Sequence, residues 1–546
     1  MSRTSIASMF CVLLLAEAVR AQPSLNVSLF GRLAPNPYRY SGSWSYVAPN
    51  GDEYGLIGGY AGTHVISIND SADIHQVGFV AGPQSNWREL TVIGNHAFVV
   101  TEGTGTGTGM QVISLEPLPD SVHLVTTYQA TFTRGHIIMR EVFSDSPYVY
   151  VSGTSATGGV HILNVSNPAV PVQVGVYDPP YYIHDAHIRG NRLYASAGGM
   201  QKVDIVDISD KANPQLITSI QYSGSYTHSC WTTDDHSFLF VTDEQDGQVA
   251  RIWDIQDLDT IYEVSQYSAN LQSLVHNPYI RGEFAFIAHN TEGMRVVDIA
   301  DPSVPIEVGY YDTYPGPSGG FNGLWSACPY LPSGKILGGD RTAGLYIWRF
   351  NDTRAGRVYG VVEDSLTGAP IDSALVTIVE SGRTTSSDST GAFKLGDLPG
   401  NYTLVISAAG YSTKTINNVV LTGGDSLTLT VLLRSSVTGI RGEVHLPGDF
   451  LLFQNYPNPF NPTTAIAFSL PSLDNTTAKG RVGEGSLVSL KVYDILGREV
   501  ATLVNEPLSP GKYSASWNAE EKPSGVYMYR LEFSGLVRSG KMLLIR

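Results

Sequence analysis

The sequence is poor in cysteine, in basic residues and in long apolar runs. Only three of its 546 residues are cysteine, too few for the disulfide scaffold that holds small secreted domains together. The 34 basic side chains are outnumbered by 50 acidic ones, giving a net charge of −16. This balance argues against a nucleic-acid-binding protein, because such proteins need a basic surface. No segment after the N-terminus approaches the roughly 18 consecutive apolar residues of a membrane-spanning helix, so we expect no transmembrane segment.

The N-terminus has the composition of an export signal. A basic residue precedes an apolar stretch over residues 6–16, and Ala21 is the small residue that a signal peptidase site requires. We therefore expect residues 1–21 to be a signal peptide and the mature chain to be exported. The two cysteines of the mature chain, Cys230 and Cys328, are expected to be isolated and buried.

A repeat unit of about 45 residues fills the centre of the chain. Residues 159–178, 202–214 and 293–312 each contain two apolar, alternating segments separated by a turn with proline, which predicts two strands. Another pair of predicted strands precedes each copy. Four short strands per repeat are typical of one β-propeller blade. The count of units comes from their first strands, which begin near Trp44, Trp87, His136, His184, His228, His276 and Leu324, and it predicts seven blades.

The first and last units predict how the ring of blades closes. The seventh unit ends after its third strand at Phe350, whereas residues 25–31 form an isolated segment similar to the fourth strands of other units. We therefore expect the N-terminal strand to complete the last blade and to remove an open sheet edge. The predicted fold is all-β: a seven-bladed β-propeller over residues 22–351, followed by two small β-sandwich (Ig-like) domains.

Motifs in the propeller resemble the LVIVD repeat. Residues 203–208 and 296–299 carry its Val-Asp-Ile pattern, and residues 86–89, 97–102 and 109–112 are similar to the choice-of-anchor B family. The resemblance implies an exported propeller whose C-terminus carries a sorting device. It implies no established enzymatic activity.

Two further regions follow the propeller. Residues 355–434 contain short alternating segments with turn residues between them and resemble a carboxypeptidase regulatory-like domain, which implies a spacer or binding module without zinc ligands. Residues 435–450 are a polar linker. Residues 452–546 resemble the type A C-terminal sorting domain of the type IX secretion system, through motifs at 453–464 and 488–500. That resemblance implies a Gram-negative envelope, removal of the tail, and release or attachment at the cell surface.

Histidines at one repeat position predict a candidate metal site at one mouth of the propeller channel. Each lies at the start of an innermost strand, so ring closure places them around one end of the channel: His136, His184, His228 and His276. The second strand of each blade runs antiparallel to the first, so its end lies at the same rim. The further candidate ligands there are His289, Glu102, Asp243, Glu244 and Asp340. Imidazoles and carboxylates suit one transition-metal ion, Zn, Fe, Mn or Cu. The alternative is that repeated histidines only hydrogen-bond neighbouring blades.

Tryptophans at the same rim support a different function. Trp44, Trp87, Trp231 and Trp325 are candidates for stacking on a sugar or peptide, although inner-strand tryptophans also fill gaps between blades. The sequence favours a surface-displayed or released, non-enzymatic protein that binds a glycan, peptide or matrix ligand. The alternative is a metal-dependent enzyme built on the His and carboxylate cluster. We expect a monomer whose partners are the type IX secretion machinery and an extracellular ligand.

Overall fold

The structure, a computed structural model, describes residues 23–35, 39–436, 450–471, 486–509 and 511–545. The chain divides into two compact units, Met1–Val437 and Thr438–Arg546. The predicted signal peptide and most of the predicted linker lie outside the described residues. Within these ranges no helix is long and apolar enough to cross a membrane, and the helical structure consists of the short 3-10 segment Gly198–Met200.

Antiparallel sheets follow one another through the first unit as propeller blades. Two N-terminal strands come first, β1 (Ser24–Leu25) and β2 (Val27–Leu33). Blades 1 to 3 contain β3 (Tyr40–Val47), β4 (Glu53–Gly59), β5 (Gly62–Ser67), β6 (His75–Ala81); β7 (Arg88–Ile93), β8 (His96–Thr101), β9 (Met110–Ser114), β10 (His123–Tyr128); and β11 (Ile137–Arg140), β12 (Tyr148–Ser152), β13 (Val160–Asn164), β14 (Val172–Tyr177).

Blades 4 to 7 continue the same order. They contain β15 (Asp185–Arg189), β16 (Arg192–Ala197), β17 (Lys202–Asp207), β18 (Gln215–Gln221); β19 (Thr227–Thr232), β20 (Phe238–Asp243), β21 (Ala250–Asp254), β22 (Tyr262–Tyr267); β23 (Asn277–Arg281), β24 (Phe284–Ala288), β25 (Met294–Asp298), β26 (Ile306–Tyr311); and β27 (Lys335–Asp340), β28 (Gly344–Phe350). Inner strands are buried on both faces because each blade packs between two others: every residue of β4 is buried, whereas β6 at the outside is largely exposed.

The N-terminal strand completes the seventh blade, as predicted. β2 pairs antiparallel with β28, from Val27 opposite Phe350 to Leu33 opposite Leu345. The predicted first strand of this blade, at Leu324, forms only isolated bridges, and it runs into a proline that lacks the N–H a ladder requires. β1 pairs with β26 of the sixth blade instead, a contact that the sequence pattern did not predict. The N-terminal segment therefore ties two blades together.

The segment after the propeller is a two-sheet sandwich. Its strands are β29 (Gly356–Asp364), β30 (Leu375–Ile378), β31 (Thr384–Ser386), β32 (Ala392–Asp397), β33 (Gly400–Ser407), β34 (Lys414–Leu421) and β35 (Ser426–Leu433). The sheet orders are β32-β29-β35 and β31-β30-β33-β34. Alternate side chains from both sheets, such as Val358 and Val376, form the shared core.

This sandwich is joined to the sixth blade by a buried ion pair. Arg357 Nη2 donates to Asp298 Oδ1 at 2.7 Å, and the backbone N–H of Ala355 donates to the other carboxylate oxygen at 2.8 Å. Tyr359 Oη adds a hydrogen bond to Asp301 at 2.9 Å. A buried charge is tolerated only when paired, so the pair fixes the two domains against each other.

The second unit is a separate sandwich. Its strands are β36 (Leu451–Leu452), β37 (Thr463–Leu470), β38 (Ser486–Tyr493), β39 (Glu499–Leu508), β40 (Gly511–Asn518), β41 (Gly525–Phe533) and β42 (Leu536–Leu544), in sheets ordered β36-β37-β40 and β39-β38-β41-β42. Val488, Leu490 and Val492 are all fully buried, which confirms the predicted alternation along that strand. The all-β fold with a propeller and two sandwiches is thus as predicted.

Candidate functional site

Hydrogen bonds of the main chain hold the four predicted histidines at one mouth of the channel. The backbone N–H of His184 donates to Ser196 O at 2.8 Å, and that of His276 donates to Ala288 O at 3.0 Å. These bonds extend the ladder between the first two strands of a blade by one residue. Each imidazole is therefore positioned by a rigid sheet. We use the term mouth for the end of the channel at His136, His184, His228 and His276.

The imidazoles are oriented by a chain of hydrogen bonds from blade to blade. Nδ1 of His184 lies 3.2 Å from His228 O, Nδ1 of His228 lies 2.9 Å from His276 O, and Nδ1 of His276 lies 3.2 Å from Trp325 O. A carbonyl can only accept, so each Nδ1 carries the proton and each Nε2 keeps a lone pair that can accept a hydrogen bond or bind a metal ion. The same outer hydrogen bond orients histidines that bind metal ions.

In His136, Nδ1 contacts a carboxylate and not a backbone carbonyl. Its Nδ1 lies 2.7 Å from Glu102 Oε1, and its Nε2 lies 2.9 Å from Nε2 of His184. Two ring nitrogens at this distance share one proton, or both serve as adjacent ligands of one ion. The predicted convergence of His136 and Glu102 at the mouth is thus seen in the structure.

The Nε2 atoms of His184, His228 and His276 face one carboxylate, Glu244. Nε2 of His184 and Nε2 of His228 each lie 3.8 Å from a Glu244 oxygen, and Nε2 of His276 lies 3.9 Å away. The donor atoms of His184, His228 and Glu244 all lie within 4.8 Å of one another. Nε2 of His276 is buried without a hydrogen-bond partner among the described residues. An unpaired buried polar atom costs free energy, and an ion bound between these groups removes that cost.

The protonation states suit metal binding. Burial lowers the pKa of His184, His228 and His276 well below the usual range of histidine, so these rings are neutral, the form that binds a metal. Burial acts in the same direction on His136, but the hydrogen bond and charge of Glu102 outweigh it and raise the pKa. Burial raises the pKa of Glu244 to about 7.

Three other predicted ligands each use one side-chain atom in local hydrogen bonds, and their role as metal ligands stays a prediction. Nε2 of His289 accepts a hydrogen bond from the backbone N–H of Ala269 at 3.3 Å. Oδ1 of Asp243 accepts two backbone N–H groups at 3.1 Å. Oδ1 of Asp340 accepts two backbone N–H groups of the next turn at 2.9 and 2.8 Å. The two aspartates cap turns, as short carboxylates commonly do.

The four predicted tryptophans do not offer a stacking surface. Trp44, Trp231 and Trp325 are 6%, 1% and 3% exposed, because they fill the interior between blades. Trp87 is half-buried, and the guanidinium of Arg341 lies over its ring at 5.7 Å. The three buried rings are therefore not exposed for stacking, and a ligand-binding role of the four tryptophans stays a prediction.

Residues that the sequence did not single out complete the surroundings of the mouth. The rings of Tyr182 and Tyr226 lie 6.2 and 5.6 Å from that of His184, and Tyr182 is 41% exposed. Below the histidines, a cavity of about 20 Å³ is lined by Glu89 and Asp185, among others. Burial raises the pKa of Glu89 to about 7 and that of Asp185 to about 6. So small a cavity admits no substrate.

Comparison with protein-family models divides the chain as the sequence motifs indicated. The LVIVD repeat matches residues 185–221 and 277–313, the carboxypeptidase regulatory-like domain matches residues 357–434, and the secretion system C-terminal sorting domain matches residues 454–545. The chain contains these three elements, and its sorting domain indicates export by type IX secretion to the cell surface or beyond it. It thereby implies interaction with the secretion machinery.

No curated protein matches the chain. Among solved structures, the periplasmic gluconolactonase PpgL of Pseudomonas aeruginosa is 11% identical with a TM-score of 0.40, covering 52% of this chain and 93% of its own. A putative 6-phosphogluconolactonase of Bacteroides fragilis is 12% identical with a TM-score of 0.43, covering 66% and 97%. The β-propeller domain of Cps50 (Swd1) from Myceliophteria thermophila is 10% identical with a TM-score of 0.40, covering 59% and 99%. Similarity at this level says nothing about activity.

Proposed function

We propose that this exported propeller is a metal-dependent enzyme whose single transition-metal ion is bound at the mouth by His184, His228, His276 and Glu244. The observation that supports this best is the chain of Nδ1 hydrogen bonds, which leaves three neutral Nε2 atoms facing one carboxylate at 3.8 to 3.9 Å. Typical metal–nitrogen bonds are about 2.0 Å long, so small side-chain movements bring all four donors onto one ion.

The donor set selects the kind of metal. Three imidazoles and one carboxylate suit Zn, Fe(II) or Mn and do not suit soft ions that prefer thiolates. The cysteine closest in sequence to these ligands, Cys230, lies within hydrogen-bond distance of Tyr194 O, at 3.7 Å, and burial raises its pKa to about 12. It therefore stays a thiol.

The ion would act as a Lewis acid on a substrate oxygen or would activate a water molecule. His136 lies on the open side, where Glu102 connects it to solvent because the Glu102 side chain is 42% exposed. Tyr182, also exposed, borders the same opening. These groups can orient a substrate and exchange protons with it, which a purely structural set of histidines would not require.

This proposal reverses the preference drawn from the sequence. Non-enzymatic binding of a glycan, peptide or matrix ligand had these four tryptophans as its candidate residues, and three of the four rings are buried. The histidines, by contrast, converge. The signal peptide, the removal of the sorting domain, the monomeric state and the choice between release and surface attachment stay predictions.

Metal analysis of the full chain, purified without a metal-affinity tag, tests the proposal. We expect one equivalent of a transition metal by mass spectrometry, and loss of most of it in His184→Ala and His228→Ala. The matched control is His161→Gln, since His161 is equally buried but bonds Gln173 and Thr154 away from the mouth. A wild-type protein that holds no metal after dialysis against Zn, Fe(II) and Mn would overturn the proposal.

A further inference from the structure

We infer that Arg341 binds an oxyanion group of the substrate, a carboxylate or a phosphate, beside the metal site. The inference rests on the proposed function for its location and adds the chemical class of the substrate. It is based on the environment of the Arg341 side chain, which is not one of the proposed metal ligands.

Arg341 is a buried arginine whose guanidinium contacts aromatic rings. The residue is 5% exposed, yet among the described residues only its main chain forms hydrogen bonds, and its guanidinium forms none and no ion pair. Its contacts are with aromatic faces: the guanidinium carbon lies 4.8 Å from the ring of Trp325 and 5.7 Å from that of Trp87. Cation–π contacts do not use the N–H donors, which stay available to a ligand.

Other buried arginines of the propeller donate hydrogen bonds to backbone carbonyls, although Nη1 of Arg88 has no partner among the described residues. Arg88 donates to the carbonyls of Gly59 and Pro83, and Arg140 donates to four backbone carbonyls. Arg341 is the exception among these three. No nitrogen of Arg341 is among the enclosed side-chain atoms without a partner, so its N–H groups reach solvent and can bind a partner from the mouth.

The position of Arg341 is set by the same groups that orient the metal ligands. The ring of Trp325 lies 4.2 Å from that of His276, and its Nε1 donates to Glu89 at 2.7 Å, so Trp325 is fixed between His276 and Arg341. Burial, together with the positive charge of Arg39, lowers the pKa of Arg341, whereas the negative charge of Glu244 opposes this. Arg341 therefore lies within electrostatic range of the proposed metal ligand Glu244.

The chemistry of the guanidinium group determines which class of ligand Arg341 can bind. Guanidinium presents a planar fork of N–H donors that matches the two oxygens of a carboxylate or phosphate. A second positive side chain, the exposed Arg39, lies close by, and two like charges held together favour an anion between or beside them. A substrate with one oxygen on the metal ion and an anionic group on Arg341 would span the mouth.

Binding of inorganic phosphate and of acetate to the metal-loaded full chain tests this, by isothermal titration calorimetry. We expect Arg341→Gln to weaken binding of at least one anion by about tenfold or more, the typical effect of losing a charged hydrogen-bond donor, while metal content stays at the wild-type value. Arg341→Lys should recover part of the affinity. The two probes distinguish phosphate from carboxylate recognition.

The matched control is Arg349→Gln. Arg349 lies in the same blade with its guanidinium 5.2 Å from the ring of Phe30, but it is exposed on the outside, so its loss should leave anion affinity unchanged. Equal affinity of wild type and Arg341→Gln, with metal bound in both, would overturn the inference alone, whereas a wild type without metal would overturn the proposed function. If Arg341→Gln does not fold, Arg341→Lys decides: unchanged affinity for both anions there would exclude bidentate recognition.

Discussion

Replacing Asp298 by asparagine should destabilise the propeller more than any exposed charge change at the same junction. The Asp298 side chain is fully buried, and its two oxygens accept from Arg357 at 2.7 Å and from the N–H of Ala355 at 2.8 Å. An asparagine keeps one acceptor oxygen, so its NH₂ group must face one of these donors. The variant therefore leaves a buried guanidinium without its counter-charge, which costs about 3 to 5 kcal/mol of unfolding free energy.

Urea unfolding of the full chain, followed by tryptophan fluorescence, measures this cost. Residues 355–434 contain no tryptophan, so the signal from the first unit reports the propeller. The control is Lys394→Met: Lys394 pairs with Asp301 at 3.3 Å in the same junction but is 52% exposed, and an exposed pair contributes only about 0.5 kcal/mol. A second variant, Arg357→Met combined with Asp298→Asn, should lose less than the two single changes together, because it removes both charges. If Asp298→Asn lies within about 0.5 kcal/mol of wild type, the argument that this pair secures the junction fails.

Three further outcomes follow from single sites. Burial raises the pKa of Cys230 to about 12 and that of Cys328 to about 11, so neither thiol should react with Ellman's reagent until the protein is denatured; rapid labelling of the native protein would contradict the burial. Gly153 has a φ of 60°, and a Cβ there would lie 2.6 Å from Cβ of His136, so Gly153→Ala should cost about 1 to 3 kcal/mol of stability and lower metal content, as thermal unfolding and elemental analysis can show. Burial alone would raise the pKa of Glu53, but hydrogen bonds from Ser333 and Lys335 outweigh it and lower that pKa below 4.5. A lowered folded-state pKa gives stability that is present above the unfolded value and lost as pH falls through the folded one. Glu53→Gln should therefore be less stable than wild type at neutral pH, with the difference shrinking below pH 4.5 in urea titrations; a constant difference would contradict the assignment.

The propeller could be predicted from the sequence because the period of the repeat is visible there and gives the length of one blade. The histidines at the mouth were found for the same reason: one repeat position, the residue just before or at the start of a first strand, supplies His136, His184, His228 and His276. Repetition fixes where a backbone position lies in the ring. It does not fix which groups the side chain contacts, and the differences between the predicted and the observed site concern those contacts.

The residues at the ends of the second strands explain physically why the observed site differs from the predicted one. Neighbouring residues of a strand point in opposite directions, so of Asp243 and Glu244 only one can face the channel. The structure shows that the last strand residue, Asp243 or Asp340, caps a turn, and that the residue after it turns to the mouth, as Glu244 and Arg341 do. His289 occupies the second kind of position but is held by the Ala269 N–H.

The rule that the residue after each second strand turns to the mouth also identifies Arg341 from the sequence. Arg341 stands directly after Asp340 as Glu244 stands after Asp243 and as Glu102 stands after the last residue of β8. A search for charged residues one position beyond each second strand would have returned Arg341 together with two carboxylates. Arginine does not bind metal ions, so a pattern of metal ligands does not include Arg341.

The mouth is therefore divided between two kinds of side chain at one repeat position. Consecutive blades 3 to 6 contribute imidazoles, whereas blades 7 and 2 contribute Trp325 and Trp87, with Arg341 between their rings. The carbonyl of Trp325 also accepts from Nδ1 of His276 at 3.2 Å, so one residue both ends the histidine chain and supports the guanidinium. A metal ion on one half and an anion-binding arginine on the other would hold a substrate at two points, which is what orienting a reacting group requires. A ring of histidines that only stabilised the propeller would explain neither the unpaired Nε2 of His276 nor the Arg341 guanidinium 4.8 Å from the Trp325 ring.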